Sequence, residues 1–432
     1  MAVRFGTDGI RGRVDEEVTL ELAYQLGWAV ARVLATTTYV GYDTRESSPT
    51  LAAAVLAGLN DGGVSGVNLG YFTTPGVAYV AQSRGGAGVV VSASHNPYFD
   101  NGLKVLAVGG AKLDRASELA LEAALAVAPT PTASAFSSPP IDAEAELQYE
   151  RRLLELVPGD FSSLRLVVDC ANGAASRLAP RLFAATGAIV TIIHADPNGR
   201  NINLEAGSTN VDALVKVVRE TRADLGLALD GDADRLIAVD AEGHVRNGDD
   251  LMVLLAGDRL ERQTLGGGVA ITSMSNLGVR RALESRGVEI VETDVGDRNV
   301  LVALEERGWL VGGEQSGHLI FRDLASTGDG LLTGLLLCDD VLRHGDLARR
   351  AQGAWTRVPQ ELINVAREEF DDVAVQQSFD ALREKYDLDE RDVRLVIRRS
   401  GTEPVVRVMI EATNADFVAS FISSLRATFT FV

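Results

Sequence analysis

Cysteine is almost missing from this chain. The only two, Cys170 and Cys338, lie in separate segments without metal-ligand spacing. That leaves no disulfide framework and favours a reduced cytosol. Cys170 falls in an apolar strand pattern and reads as inert core. Long apolar runs are missing too: nothing approaches the roughly 18 residues a membrane helix requires. The longest, residues 51–59 and 331–338, have the length of buried helix faces. The start, Met1 to Asp8, lacks the apolar core of a secretion signal. Positive charge is scarce, with 41 Lys and Arg against 60 Asp and Glu and a net charge of −19. Such a balance argues against nucleic-acid and anionic-membrane partners, which want a basic face. A phosphorylated ligand would then need a locally built positive pocket. With 46% apolar and 23% charged residues, the expectation is a soluble cytoplasmic enzyme.

At 432 residues the chain exceeds one ordinary core, and about 150 residues per domain suggests two to four. Short apolar runs alternate with helical patterns, the signature of βαβ units. Helices are expected at 20–34, from Ser48-Pro49 onward (with a cap and a proline at the first position), and at 143–157, 251–260, 277–285 and 330–342. Strands are expected at 39–42, 88–92, 166–170, 225–229, 269–272, 395–398 and 405–411. A Pro/Ser/Thr-rich stretch, 129–140, reads as a linker. The resulting plan is an α/β fold: three similar α/β domains with mixed sheets (1–142, 143–245 and 246–357), plus a smaller C-terminal α+β domain (358–432).

What the chain does have is a set of polar loops at strand ends, where ligands of α/β sheets collect. Asp230-Gly231-Asp232-Ala233-Asp234-Arg235 follows the strand at 225–229. Three carboxylates at i, i+2 and i+4 face one way if the backbone stays extended, and their mutual repulsion calls for a cation. Hard oxygens with no Cys or His nearby select Mg²⁺ or Ca²⁺; a solvated acidic turn is the plainer alternative. Ser92-Ala93-Ser94-His95-Asn96-Pro97 pairs a serine with a histidine, yet has no G-x-S-x-G elbow; alone it could equally be an Asn-Pro turn. Gly312-Gly313-Glu314-Gln315-Ser316-Gly317-His318 mixes acid, amide, hydroxyl and imidazole, which suits a polyol, or a surface loop. Arg398-Arg399-Ser400-Gly401-Thr402-Glu403-Pro404, with Arg407 following, could cradle a phosphate or be a hairpin with solvated arginines. Arg11 sits among the glycines of Phe5-Gly6-Thr7-Asp8-Gly9-Ile10-Arg11-Gly12.

Taken together, in this order and spacing, these five segments resemble the α-D-phosphohexomutase superfamily over nearly the whole chain. Secondary signatures at 199–209, 274–278, 295–298 and 327–333, and Gln315, resemble its glucosamine branch. The resemblance implies four domains around a central cleft. It implies that Ser94 is phosphorylated and, with Asp230, Asp232 and Asp234, supplies the ligands of Mg²⁺. Arg11, His95, Lys104 and Arg235 then lie near the transferred phosphoryl group, with Lys104 and His318 as proton-transfer candidates. Glu314, Ser316 and His318 meet sugar hydroxyls, while Arg398, Ser400, Gly401, Thr402 and Arg407 hold the non-reacting phosphate. The implied activity interconverts glucosamine 6- and 1-phosphate through a hexose 1,6-bisphosphate, with a homodimer through the first domain. Two departures stand out: Ala233, where the family often has glycine, and Asn299, where an aromatic residue is expected. The rival readings are a phosphomannomutase/phosphoglucomutase, a metal-dependent phosphatase and a non-catalytic sugar-phosphate sensor.

Overall fold

The computed structural model describes residues 9–132, 136–399 and 404–431. Among them the strands assemble into four sheets. The first runs Ile10–Arg13, Asp100–Leu106, Ala87–Val91, Thr38–Tyr42, Gly66–Tyr71. Its last three strands are parallel, and the first two antiparallel. The second sheet repeats that pattern with Val245–Arg246, Leu236–Asp240, Leu225–Leu229, Arg165–Asp169, Ile189–Ile193. In the third, Ile290–Thr293, Val269–Thr272 and Val311–Gly313 are parallel and Leu319–Phe321 antiparallel. The fourth, Gln360–Ala366, Val405–Ala412, Val393–Arg399, is antiparallel throughout. The chain thus has three α/β domains with mixed sheets and a C-terminal α+β domain, as its alternating patterns imply.

One topological position recurs in the first three sheets. A parallel strand ends, a loop follows, and the chain returns antiparallel beside it. Residues 92–99 make this return after Ala87–Val91, residues 230–235 after Leu225–Leu229, and residues 314–318 after Val311–Gly313. The three polar loops therefore occupy equivalent places in three sheets whose sequences do not visibly repeat.

One apolar core runs across these sheets, from Phe72 and Tyr149 through Leu225, Leu227 and Leu229 to Leu331 and Val341, and another, with Leu26, Val40, Val55 and Val89, packs on the first sheet. Helix Ala143–Leu156 packs on both Thr74–Ser83 and Leu178–Ala185, and Gly330–His344 packs on Gly248–Glu261 and the second sheet. The fourth sheet has its own core of Val406, Val408, Phe417 and Phe421. Both cysteines are buried and free, and burial pushes their thiols far up. No described helix is long and apolar enough to cross a membrane.

Two local expectations are corrected. Helix Ser48–Asp61 is preceded by Ser47, which makes no side-chain capping bond; Ser48 is its first residue and Pro49 its second. Ser48 Oγ is committed to Asp43 Oδ1 at 2.7 Å instead. Nor does the aspartate segment continue extended: residues 230–234 turn, with Ala233 at φ 57°. A Cβ in that left-handed region costs about 1–2 kcal/mol, the local strain that a glycine would avoid.

Candidate active site

Ser94 lies at the end of Ala87–Val91, fully buried, with φ 52°. Its Oγ donates to Asp230 Oδ2 at 2.5 Å and lies 3.3 Å from His95 Nδ1. The two loops can approach this closely because Gly231 has no side chain: a Cβ there would stand 2.5 Å from Ser94 O.

Asp230, Asp232 and Asp234 are all buried, with one carboxylate oxygen of each inside a group no wider than 4.8 Å. Like charges about 4 Å apart repel by about 4 kcal/mol per pair at an effective dielectric near 20. Asp230 shows the consequence: burial first, then the charges of Asp234 and Asp232, push its carboxyl well above the usual range. Asp232 is held down despite its burial, because Lys104 Nζ donates to its Oδ2 at 2.7 Å and Thr74 Oγ1 does so at 2.5 Å. Lys104 also reaches Asp234 Oδ2 at 3.5 Å. Two oxygens are left over, Asp232 Oδ1 and Asp234 Oδ1, buried and without a hydrogen-bond partner. Orphaned hard oxygens beside mutually repelling carboxylates fit a divalent cation such as Mg²⁺.

The other cations border this cluster. Arg11, paired in register with Gly102, lays its stem there; a Cβ on Gly102 would meet Arg11 Cγ at 3.0 Å and Ser92 O at 2.5 Å. Arg235 Nε lies 3.7 Å from Asp234 Oδ1. Burial and then the charges of Arg235 and Arg11 lower His95 to about 4.

The third loop contributes His318, buried, with Nδ1 3.8 Å from Asp234 Oδ2 and Nε2 3.5 Å from Asp297 Oδ2. Burial lowers its pKa, but Asp234, Asp297 and Glu314 outweigh that and lift it to about 9. Gly328 N–H donates to Nε2 at 3.2 Å, which demands a lone pair there and so opposes a second ring proton. A cation at the aspartates would weaken the pull of Asp234 and favour the neutral ring that this bond requires. Glu314 Oε1 accepts from Gly296 N–H at 2.9 Å, and Ser316 Oγ is buried without a partner. Gln315 turns away, donating to Asp249 Oδ2 at 3.1 Å.

Ser94, His95, Lys104, Arg11, Arg235, the three aspartates and His318 are thus gathered around one cluster, with Glu314 within electrostatic reach of Arg235 and His318. Arg398 and Arg407 stand directly opposite each other on adjacent strands of the fourth sheet; no hydrogen bond or ion pair among the described residues ties Arg398 to the aspartates. Ser400, Gly401 and Thr402 lie outside the described residues.

Several site residues escaped the sequence reading. Thr74, the first residue of helix Thr74–Ser83, was not singled out, yet its N–H also donates to Asp232 O at 3.0 Å. Asp297 falls within a noted signature but carried no role; it pairs with Lys112 beside His318. Arg298 pairs with Glu118 of the first domain, and these residues, with Lys104 and Asp234, line one small cavity.

Comparison with known proteins fits this geometry. Models of the phosphoglucomutase/phosphomannomutase family match α/β/α domain I at residues 2–130, domain II at 152–243, domain III at 247–358 and the C-terminal domain at 362–427. The chain belongs to this family. Among curated relatives, the phosphoglucosamine mutase of Rhodococcus jostii is 42% identical over 98% of both chains. Phosphoglucosamine mutase 1 of Shewanella amazonensis is 41% identical over 98% of this chain and 97% of its own. Among solved structures, a phosphoglucomutase/phosphomannomutase family protein of Burkholderia thailandensis superposes with a TM-score of 0.82 at 26% identity, covering 100% of this chain and 99% of that one. The fold is also shared with Aspergillus fumigatus N-acetylphosphoglucosamine mutase, solved with GlcNAc-6P and magnesium (TM-score 0.65, 19% identity, 100% and 96% covered).

Proposed function

We propose that this chain interconverts glucosamine 6-phosphate and glucosamine 1-phosphate, supplying the 1-phosphate for amino-sugar nucleotide and cell-wall precursor synthesis. The observation that carries the reading is Ser94 Oγ held 2.5 Å from Asp230 Oδ2 in a cluster with two orphaned carboxylate oxygens. The names of the full-length relatives support the amino sugar. The division into domains 1–142, 143–245, 246–357 and 358–432 belongs to the same reading.

In this reading Ser94 is the phosphorylated residue, and Ser94, Asp230, Asp232 and Asp234 would hold Mg²⁺. Bound there, Mg²⁺ supplies positive charge to the oxygens of the transferring phosphoryl group. Lys104, Arg11 and Arg235 add positive charge around the same point, which phosphoryl transfer requires more than covalent chemistry. The P–O bond at Ser94 breaks as a free hydroxyl of the sugar phosphate forms its own, giving a hexose 1,6-bisphosphate. Lys104 and His318 exchange the proton of that hydroxyl. His95, with Nδ1 3.3 Å from Ser94 Oγ, handles the serine proton when the bisphosphate turns round and returns its other phosphate. Glu314 and Ser316 take sugar hydroxyls; the unpartnered Ser316 Oγ is available for one. Arg398 and Arg407, with Ser400, Gly401 and Thr402, hold the distal phosphate. Free, buried cysteines suit work in the cytoplasm. The homodimer is open to light scattering.

Turnover on the 6-phosphates of glucosamine, glucose and mannose checks the substrate. Glucosamine 6-phosphate should be preferred at least tenfold in kcat/KM, a difference of about 1.4 kcal/mol in transition-state binding. A tenfold preference for glucose or mannose would defeat the amino-sugar assignment.

A further inference from the structure

Ser94 adopts a left-handed backbone (φ 52°) without the freedom of glycine, so its surroundings must hold it there. Its carbonyl is where they do so. Arg45 Nη2 donates to Ser94 O at 3.2 Å and to Asn96 O at 2.5 Å, and Nε reaches Pro97 O at 3.5 Å. From the other side, Asn203 Nδ2 donates to the same two carbonyls, Ser94 O at 2.9 Å and Asn96 O at 3.1 Å.

Both donors are themselves fixed. Arg45 is fully buried and ion-paired with Asp43, whose Oδ1 also accepts from Arg45 N–H at 3.0 Å and Ser48 Oγ at 2.7 Å. Asn203 reaches across from the second domain, also with positive φ (57°), its N–H donating to Ala171 O at 2.9 Å. Gly231 of the aspartate turn completes the enclosure, since a Cβ there would lie 2.5 Å from Ser94 O and 3.0 Å from Asn203 Nδ2.

We propose that Arg45 and Asn203 form a two-sided clamp on the Ser94 and Asn96 carbonyls that fixes where Ser94 Oγ points, and are positioning residues for phosphoryl transfer. The clamp spans two domains, one carrying Ser94 and the other the aspartates, so the approach of Oγ to Asp230 is set by backbone anchoring as well as by the serine rotamer. The inference rests on Ser94 being the phosphorylated residue proposed above. A misplacement of about 1 Å at a reacting atom can cost on the order of 100-fold in rate.

The test uses Asn203→Ala, which removes the donor without stranding a charge, and Asn203→Asp, nearly isosteric but acceptor-only. Arg45→Lys keeps the charge without the planar fork. Three quantities are read: single-turnover discharge of phospho-Ser94 by glucosamine 6-phosphate, the steady-state KM for that substrate, and hydrogen exchange of the amides of residues 94–96. The expected discharge rates rank wild type, Asn203→Ala, Asn203→Asp, with about tenfold or more lost at the first step. KM should stay within about twofold while exchange at 94–96 quickens; Arg45→Lys should slow discharge likewise. Folded variants that discharge at the wild-type rate, with exchange at 94–96 unchanged, would overturn the clamp. A wild type whose Ser94 never carries phosphate overturns the functional reading and, with it, any role in transfer; exchange would then report the clamp's geometry alone.

Discussion

Ser94→Ala is expected to abolish mutase turnover, by on the order of 10⁴-fold or more, the scale seen when a covalent nucleophile is removed. The fold should survive. Alanine has the same Cβ, so the left-handed backbone at φ 52° is no more strained than before. The loss is the hydroxyl's bonds to Asp230 and His95, worth about 1 kcal/mol each, so the thermal midpoint should move by only a few degrees for a chain of this size. A folded Ser94→Ala protein that still turns over would remove the serine from the reaction. Collapse of the fold would instead make Ser94 a structural residue.

Asp230→Asn is the second large effect, and it should act oppositely on activity and stability. Asp230 faces Ser94 Oγ, and its buried carboxyl is raised well above the usual range by desolvation and by Asp234 and Asp232. Asparagine keeps the shape and an acceptor while relieving that repulsion. The variant should lose activity by about 10³-fold or more, in line with losses for groups that neutralise transition-state charge. Without metal, its stability should equal or exceed that of the parent, since function here is built on a locally unfavourable cluster. Titration with Mg²⁺ should raise the melting temperature of the parent but not of the variant. If Asp230→Asn melts well below the metal-free parent, the aspartates are a structural ion-pair network rather than a cation site.

Much of the fold was legible in the sequence because local pattern and tertiary demand agree. Leu225, Leu227 and Leu229 alternate with small residues and form the central strand Leu225–Leu229 as expected. The expected helices at 20–34 and 277–285 match the observed ends, where Thr19 and Asn276 cap the first turns. What failed was local pattern used without its neighbours. Ser48 looks like a cap, yet tertiary packing assigns its hydroxyl to Asp43. The aspartates at i, i+2 and i+4 suggest an extended ladder, but the chain must reverse to return antiparallel, so they converge on a turn with Ala233 left-handed.

The site divides in the same way. Polar loops at strand ends stand out in sequence because glycines and charges interrupt apolar runs. Thr74, Asp297 and Lys112 do not, since their meaning depends on what other elements bring to them: Asp232 lies 158 residues from Thr74, and Lys112 meets Asp297 only across domains. The stretch 199–209 resembled a family signature without a stated purpose. Asn203 within it now has one, bonded to the Ser94 and Asn96 carbonyls.

The central claim is that Ser94 carries the phosphate that the reaction passes on. Peptide mass spectrometry of the purified protein tests it most directly, before and after incubation with a hexose 1,6-bisphosphate, and then with glucosamine 6-phosphate and Mg²⁺. The account predicts a phosphate on the peptide containing Ser94, installed by the bisphosphate and discharged by the sugar phosphate. A Ser94 that stays unmodified under every condition, while the protein still interconverts the two phosphates, would contradict it.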